Sequence, residues 1–327
     1  MNPFVFIVGC PRSGTTLLQR MVDAHHLIAV TPETHWIVRF HKKLTDGNGL
    51  SAFGSRPAAD SWQPMADKKL LPKLFQYHRF ANLGLGREEV GRLLAGGPLS
   101  YAQFVRCLFD LYAEKAGKPL AGDKTPGYAR NIPVLYSLWG EAKFVHLIRD
   151  GRDVCLSALN WTKPGKLLRR SPTWIEDPVV TAALWWDWHV RLGRRDGGLL
   201  WRGLYYEVRY EELVVRPAEE CRALCAFLGI AYDSAMPGFH EGRTRPEPGM
   251  DAKDAWLPAT PGLRDWRAQM SGADTERFEA AAGGLLEELG YPRAFPRPCR
   301  EALDRVKRVR EAFANHLYAR EGLLLQA

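Results

Sequence analysis

The sequence lacks the patterns that mark disulfide-rich, zinc-binding and membrane-spanning proteins. Its six cysteines are scattered, with no C-x-x-C pair, and this spacing favours neither a disulfide framework nor the common zinc motifs. It contains no apolar run of the roughly 20 residues that a spanning helix needs, and its first residues do not match a secretory signal peptide. We therefore expect a cytoplasmic protein without membrane association, in which the cysteines stay reduced.

The sequence also has fewer acidic than basic residues. The 37 acidic residues face 45 lysines and arginines, which gives a formal net charge of +8 at pH 7 and a pI near 9.2. A basic surface favours an anionic partner. Because no helix-turn-helix, zinc or RNA-binding signature is present, we expect no nucleic-acid partner. The length of 327 residues suits a single large α/β domain with insertions.

Short apolar runs, each followed by a helical pattern, indicate the fold class. Continuous apolar runs at 4–8, 27–30 and 143–148 are typical of strands that are buried on both faces of a parallel sheet. A further run at 204–210 alternates between apolar and polar residues. Strands that alternate with helices predict an α/β fold with a P-loop-like, doubly wound parallel sheet flanked by helices.

Three segments do not follow this alternation. Residues 42–118 predict a mostly helical insertion. Residues 240–262 are rich in proline and glycine, which is typical of a functional loop or of a disordered segment. Near the C-terminus, an apolar stripe predicts an amphipathic helix that docks onto its own domain or forms a homodimer contact. The residues of this stripe are Leu303, Val306, Val309, Phe313 and Leu317. The expected organisation is one domain over residues 1–295, followed by a C-terminal helix at 296–327.

The first apolar run leads into a loop that is similar to a phosphate-binding loop but lacks its lysine. Gly14 and a glycine five residues before it match the G-x-x-x-x-G-K-[ST] motif, yet Thr15 occupies the lysine position. Between a strand and a helix, such a loop presents successive backbone N–H groups to an anion. The loop side chains that could join in binding are those of Arg12, Ser13, Thr15 and Thr16.

A second strand–helix junction offers another anion site rather than a metal site. The predicted strand at 143–148 ends in Arg149, where nucleotide triphosphatases carry an acidic residue that helps to hold Mg²⁺. Asp150 and Asp153 follow and could hold a metal, but capping of the next helix is the ordinary role of acidic residues there. The residues thus predict a ligand with two separate anionic groups that reacts without Mg²⁺.

These motifs resemble those of the sulfotransferases that use 3′-phosphoadenosine 5′-phosphosulfate. The resemblance runs from residue 4 to about residue 292 and is strongest to the branch of tyrosylprotein sulfotransferases and their soluble bacterial-type relatives. The segments that carry it are "PRSGTT" (11–16), "ETHW" (33–36), "GDKTP" (122–126), "LIRDGRDVCLSAL" (147–159) and "VRYEELVVRP" (208–217). The resemblance implies that 3′-phosphoadenosine 5′-phosphosulfate is the co-substrate and that no metal takes part.

The resemblance also implies which residues bind this co-substrate. The loop from Arg12 to Thr16 would bind the 5′-phosphosulfate, and Arg149 and Ser157 would bind the 3′-phosphate. Tyr210 matches a tyrosine that contacts the nucleotide, although a core tyrosine is an equally ordinary role for it. The 240–262 loop stands where the family covers the 3′-phosphate, and its candidates for that contact are Arg243, Arg245 and Lys253.

The catalytic residues follow from the same resemblance. Arg12 and Lys124 would stabilise the leaving group, and Glu33 would take the proton of the acceptor hydroxyl. His35 is the alternative base, because an imidazole titrates nearer to neutral pH. The alternative for Lys124 is an exposed lysine paired with Asp123.

The residues also bear on the acceptor and on two rival functions. The acceptor would carry a hydroxyl group on a small metabolite, a carbohydrate or a peptide. A P-loop kinase would need ATP and Mg²⁺, and the missing lysine counts against it. A non-catalytic nucleotide-binding protein would have no need for Arg12, Glu33 and Lys124 together. We therefore expect an enzyme that transfers a sulfuryl group in line from the co-substrate to a hydroxyl.

Overall fold

A computed structural model describes residues 2–45, 64–160, 171–241 and 258–321. The chain forms two compact units. The first, called the sheet unit, comprises Met1–Gly9, Gly14–Ile148 and Leu192–Pro261. The second, called the helical unit, comprises Cys10–Ser13, Arg149–Arg191 and Gly262–Ala327. The predicted division of the chain near residue 295 stays a prediction.

The sheet unit contains a parallel sheet with the strand order β2-β5-β1-β6-β7. Its strands are β1 (Val5–Gly9), β2 (Ile28–Thr31), β5 (Leu120–Lys124), β6 (Lys143–Ile148) and β7 (Tyr205–Arg209), and a separate antiparallel pair consists of β3 (Met65–Ala66) and β4 (Leu99–Ser100). The four apolar runs thus form strands within one residue of the predicted bounds. The doubly wound α/β fold that the sequence predicts is confirmed.

Helices follow the strands along the chain. They are α1 (Thr15–Ala24), α2 (Trp36–Leu44), α3 (Leu70–Gln76), α4 (Arg87–Arg92), α5 (Tyr101–Lys115), α6 (Ile132–Leu138), α7 (Gly151–Leu159), α8 (Pro172–Glu176), α9 (Pro178–Gly198), α10 (Tyr210–Val215), α11 (Pro217–Leu228), α12 (Trp266–Gln269), α13 (Gly272–Glu288) and α14 (Arg300–Glu321), with 3-10 turns at Ala81–Leu83 and Pro126–Arg130. In the described part of the predicted insertion, helices α3 to α5 predominate. Most of the predicted 240–262 loop lies outside the described residues.

Both faces of the sheet are buried, which explains why its strands are continuous apolar runs. On one face, Phe6 and Val8 of β1 pack with apolar residues of α2, α5 and α6. On the other face, Val5 and Ile7 pack with apolar residues of α1, α10 and α11. Because β1 is central and alternate side chains point to opposite faces, it joins the two halves of the core of the sheet unit.

The carboxyl ends of three neighbouring strands meet at one edge of this sheet. In the parallel register, Ile7 of β1 lies beside Lys124 of β5, and Asp123 of β5 lies beside Thr31 of β2. The chain then crosses from β5, on one side of β1, to β6 on the other. Ligands of open α/β sheets bind at the carboxyl edge where the strand order reverses. A functional site is therefore expected at the segments that follow β1, β2 and β5.

The helical unit packs around the start of α7. The Trp186 and Phe278 rings lie against Gly151 so closely that a Cβ at this position would overlap them. Helix α14 packs on α8 and α13, so the C-terminal helix docks within its own unit. The predicted stripe was wrong at Leu303, which is 48% exposed, while Ala302 is buried instead. Val306, Val309 and the two later members of the stripe are buried as predicted.

A buried histidine lies in the middle of β6. The Nδ1–H of His146 donates to the Tyr205 hydroxyl at 2.7 Å, and this hydroxyl donates to Glu207 at 3.1 Å. The His146 ring fits because Gly193 faces it, where a Cβ would stand only 2.5 Å from the ring. Burial, with a contribution from the Arg194 charge, lowers the pKa of His146 to about 3. The folded protein therefore holds this imidazole neutral.

We expect His146 to make the folded state less stable at acid pH. An unfolded histidine has a pKa of about 6.5, so between roughly pH 6.5 and 3 the unfolded chain binds a proton that the folded chain does not. The His146 contribution is complete above this window and is lost as the pH falls through it, at up to about 1.4 kcal/mol per pH unit. The change in unfolding free energy between pH 7.5 and pH 5, measured with urea, should be smaller for H146Q than for the wild type.

The exposed His78 provides the matched control. The H78Q variant should keep the wild-type dependence of unfolding free energy on pH. An equal pH dependence in H146Q and the wild type would mean that the folded state accommodates a charged His146.

Candidate active site

Helix α1 begins at the loop after β1 and presents its N-terminus at the carboxyl edge of the sheet. Gly14 caps this helix with φ at +99°, a conformation that favours glycine. The ring of Tyr210 lies against the same residue, where a Cβ would stand 2.5 Å from two of its carbons. The first turn of α1 carries Thr15 and Thr16 and no acidic residue. The N–H groups of this first turn and its positive dipole end suit an anion.

Three predicted site residues, Thr16 of this helix, Glu33 and Lys124, lie close together within the sheet unit. Lys124 is the last residue of β5, and its Nζ lies 3.2 Å from Oε1 of Glu33 and 3.5 Å from Oγ1 of Thr16. Glu33 follows the end of β2 after a proline. The lysine is 4% exposed, so the alternative of an exposed lysine paired with Asp123 is wrong. Lys124 instead links the base candidate to the anion loop.

Two further donors hold the second carboxylate oxygen of Glu33. Oε2 accepts from Nη1 of Arg79 at 2.9 Å and from Nε2 of His35 at 3.1 Å. Burial acts to raise the pKa of Glu33, but Lys124, His35 and Arg79 together hold it well below its usual value. Glu33 is therefore ionised at neutral pH. The sequence offered no motif at Arg79, which lies in the helical insertion.

His35, the rival base, is the residue before helix α2 and has φ at +50°. Burial, aided by the Arg79 and Lys124 charges, lowers the pKa of His35 although the Glu33 carboxylate acts to raise it. A neutral imidazole whose Nε2 faces a carboxylate donates its proton there. While that hydrogen bond lasts, His35 can accept a proton only at Nδ1.

A buried hydroxyl cluster lies directly behind the pair of Glu33 and Lys124. The Thr125 hydroxyl accepts from the Thr34 N–H at 2.9 Å, and the Thr34 hydroxyl lies 3.0 Å from that of Tyr128. Asp123 accepts from the Thr31 hydroxyl at 3.2 Å, and burial raises its pKa to about 7. These contacts fasten the segments after β2 and β5 to each other and so fix the distance between Glu33 and Lys124.

Other predicted binding residues lie in the helical unit. Nε of Arg12 donates to the Ser157 hydroxyl at 3.1 Å, and Arg12 has φ at +79°, which is uncommon for a residue other than glycine. Ser157 lies on α7, as predicted, and is nearly buried. The hydroxyl of Ser13 is fully buried and has no hydrogen-bond partner among the described residues. An anion between these donors would satisfy it, so this loop segment fits a phosphate or sulfate group.

The predicted second anion residue, Arg149, lies two residues before the same helix. Nη2 of Arg149 lies 3.4 Å from the Asp153 carboxylate, which also accepts from the Trp266 N–H at 2.9 Å. Burial raises the pKa of Asp153 to about 6. Asp150 caps α7 by accepting from the Arg152 N–H. The two acidic residues that could have held Mg²⁺ thus have helix-capping and ion-pair roles. Arg243, Arg245 and Lys253 lie outside the described residues.

One group of metal-ligating side chains occurs in the described part of the chain. His25, His26 and Asp233 have their ligand atoms within 4.8 Å of one another. His25 donates to the Ala231 carbonyl at 2.9 Å and accepts from the Leu27 N–H at 3.0 Å, so both of its ring nitrogens are used. His26 Nδ1 lies 2.7 Å from Asp233. Hydrogen bonding within the sheet unit accounts for this group without a metal.

The comparison with known families decides the general activity. A sequence model of the Sulfotransferase family matches residues 3–234, which include the loop, Glu33, Lys124 and Ser157. The chain belongs to the sulfotransferase family. In the described residues, this sulfotransferase has no helix long and apolar enough to cross a membrane.

Its relatives in sequence confirm the predicted superfamily and branch. It is 28% identical to nodulation protein NoeE of Sinorhizobium fredii, over 94% of this chain and 71% of the relative. It is 24% identical to omega-hydroxy-beta-dihydromenaquinone-9 sulfotransferase Stf3 of Mycobacterium bovis, over 91% and 78%. Protein-tyrosine sulfotransferase A of Caenorhabditis elegans is 24% identical over 72% of this chain and 52% of the relative.

Solved structures confirm the fold. The sulfotransferase domain from the curacin biosynthetic pathway superposes with a TM-score of 0.54 at 20% identity, covering 89% of this chain and 98% of that domain. The sulfotransferase domain from the Synechococcus PCC 7002 olefin synthase gives 0.52 at 23% identity, covering 88% and 94%. At these identities the likeness concerns the fold alone.

Proposed function

We propose that this sulfotransferase moves a sulfuryl group from 3′-phosphoadenosine 5′-phosphosulfate to an acceptor hydroxyl. The observation that carries the proposal is the placement of Lys124, whose ammonium contacts both Thr16 of the anion loop and the Glu33 carboxylate. An anion binder, a fixed cation and a base within hydrogen-bond reach of one another are what in-line transfer needs.

The proposed reaction is a single displacement at sulfur. The acceptor oxygen forms a bond to sulfur while the bond from sulfur to the bridging oxygen of the co-substrate breaks. Glu33 takes the proton that the acceptor hydroxyl loses. Lys124 leaves Glu33 and balances the negative charge that develops on the departing 3′-phosphoadenosine 5′-phosphate, with Arg12 assigned the same role. A sulfuryl group carries less charge than a terminal phosphoryl group, so fixed cations can replace a metal ion.

The binding roles of the remaining residues form part of the proposal. Gly14, Thr15 and Thr16 at the start of α1 would bind the 5′-phosphosulfate, together with Ser13. Arg149 and Ser157 would bind the 3′-phosphate, which gives Arg149 a phosphate contact in addition to Asp153. The ring of Tyr210 rests on Gly14, so Tyr210 would support the loop and contact the nucleotide.

The acceptor class stays broad in this proposal. Relatives include sulfotransferases named for a hydroxylated menaquinone, for protein tyrosine and for carbohydrate. A small metabolite, a carbohydrate and a peptide are therefore all candidates for the hydroxyl that this enzyme sulfates. A cytoplasmic enzyme that acts without a metal, as a monomer or homodimer, remains our expectation.

Ligand-induced stabilisation tests the co-substrate. At about 100 times its dissociation constant, a ligand of the folded state adds roughly 2.7 kcal/mol, which corresponds to a rise in Tm on the order of 5 °C for a chain of this size. We expect this rise with 3′-phosphoadenosine 5′-phosphate, with or without EDTA, in a thermal unfolding experiment. ATP with Mg²⁺ is the matched comparison. A rise with ATP and Mg²⁺ alone would contradict the proposal and favour the kinase.

A further inference from the structure

We propose that Arg79 is a positioning residue for Glu33. Arg79 holds Oε2 of the Glu33 carboxylate, so that Oε1 receives the acceptor proton. This inference rests on the proposed sulfuryl transfer. It gives the two carboxylate oxygens different tasks and assigns a role to a residue of the helical insertion, where no motif of the family resemblance lies.

The hydrogen bonds of Glu33 divide unequally between its two oxygens. Oε2 accepts from two donors, Arg79 at 2.9 Å and His35 at 3.1 Å. Oε1 has one donor among the described residues, Lys124 at 3.2 Å. A carboxylate oxygen can accept about two hydrogen bonds. Oε2 therefore has its full number of donors, whereas Oε1 can accept one more. Oε1 gains further room when Lys124 turns to the leaving group.

Packing fixes Arg79 in this place. Its neighbour Phe80 is buried, and the Phe80 ring meets that of Trp36 edge-on, with centroids 5.6 Å apart. Trp36 begins α2, three residues after Glu33. The aromatic contact therefore joins the segment of Arg79 to the segment of Glu33 independently of their charges.

Arg79 also has a predictable effect on the acid–base behaviour of Glu33. Among the described residues, the charged groups within ion-pair distance of this carboxylate are Arg79, Lys124 and, when protonated, His35. Asp123, next to Lys124 on β5, titrates near neutral pH, but it is present in every variant considered below. Removing Arg79 takes away one cation that stabilises the ionised form of Glu33, so the pKa of Glu33 should rise.

The experiment compares R79Q and R79K with the wild type. Selective ¹³C labelling of glutamate carboxyl carbons gives an NMR titration of Glu33, assigned by the loss of its signal in E33Q. We expect the Glu33 titration to move to higher pH in R79Q and to stay near the wild-type position in R79K. The exposed Arg92 of α4 supplies the control, because R92Q should leave the titration unchanged. An unchanged Glu33 titration in R79Q would overturn the inference.

A rate measurement with phenol as the probe acceptor complements the titration. R79Q should lower kcat by about 10- to 100-fold and move the acid limb of its pH profile upward, while the Tm rise with 3′-phosphoadenosine 5′-phosphate stays. A raised KM for phenol with unchanged kcat would instead make Arg79 an acceptor-binding residue and overturn the positioning role. Failure of the wild type to bind the bisphosphate would contradict the proposed function, whereas the titration would still decide the contact between Arg79 and Glu33.

Discussion

The E33Q variant is expected to turn over about 10²- to 10⁴-fold more slowly than the wild type, a range typical of losing a general base. Glutamine has nearly the shape of glutamate but cannot accept the acceptor proton at neutral pH. The loop at α1 and the cations of the site stay in place, so binding of 3′-phosphoadenosine 5′-phosphate should persist. The measurements are initial rates of bisphosphate release from the co-substrate with phenol present, and calorimetric binding of the bisphosphate.

The comparison with H35Q decides between the two candidate bases. Nε2 of His35 faces Glu33 at 3.1 Å, so a glutamine amide in its place can still donate to this carboxylate. If Glu33 is the base, H35Q should lose much less activity than E33Q. A larger loss in H35Q than in E33Q would identify His35 as the base, acting through Nδ1.

A control variant distinguishes the loss of the base in E33Q from the effect of removing one negative charge from the protein. Glu88, in the first turn of α4, is exposed, and E88Q removes the same charge from the surface of the same unit. Its kcat should equal that of the wild type. Turnover of E33Q at the wild-type rate would remove Glu33 from the mechanism.

The fold could be predicted from the sequence because the sheet is buried on both faces. This burial forces continuous apolar runs in β1 and β6, and each run is followed by a helix in the structure. Parallel strands bring their carboxyl ends to one edge. Residues that follow different strands, such as Glu33 after β2 and Lys124 at the end of β5, therefore become neighbours although 91 positions separate them.

The features that the sequence did not reveal depend on tertiary packing. Arg79 reaches Glu33 because the Phe80 ring packs on Trp36, and no local pattern specifies such a contact. The stripe of α14 was assigned to Leu303 for its hydrophobicity, but Ala302 stands four residues before Val306 and shares its face. Likewise, nothing local distinguishes the buried Asp123 from an exposed partner of Lys124.

The R152M variant is expected to lose about 3–5 kcal/mol of unfolding free energy, the cost typical of breaking a buried ion pair from one side. Arg152 is fully buried in the helical unit. Its guanidinium donates two hydrogen bonds to Asp150, at 2.7 and 3.0 Å, and one to Glu279 at 2.6 Å. Its guanidinium carbon also lies 3.6 Å from the centre of the Trp266 ring. Methionine fills part of this space but removes the guanidinium that bridges two buried carboxylates.

Thermal unfolding measures this loss as a fall in Tm on the order of 10 °C for a chain of this size. The matched control is R300M, because Arg300 has a 95% exposed side chain and a 3.8 Å ion pair with Asp304. Surface pairs of this kind contribute little, so R300M should change the unfolding free energy by less than about 0.5 kcal/mol. Equal Tm values for R152M and R300M would contradict the expectation.

A second substitution tests whether the loss of unfolding free energy in R152M comes from the charge of the facing carboxylates. Asp150 caps α7 through the Arg152 N–H, and asparagine caps helices about as well as aspartate. The double variant R152M/D150N therefore keeps the cap while removing the charge of one of the two carboxylates that faced the guanidinium, and it should be more stable than R152M alone. If the double variant is less stable than R152M, the loss arises from packing against Trp266 and not from charge.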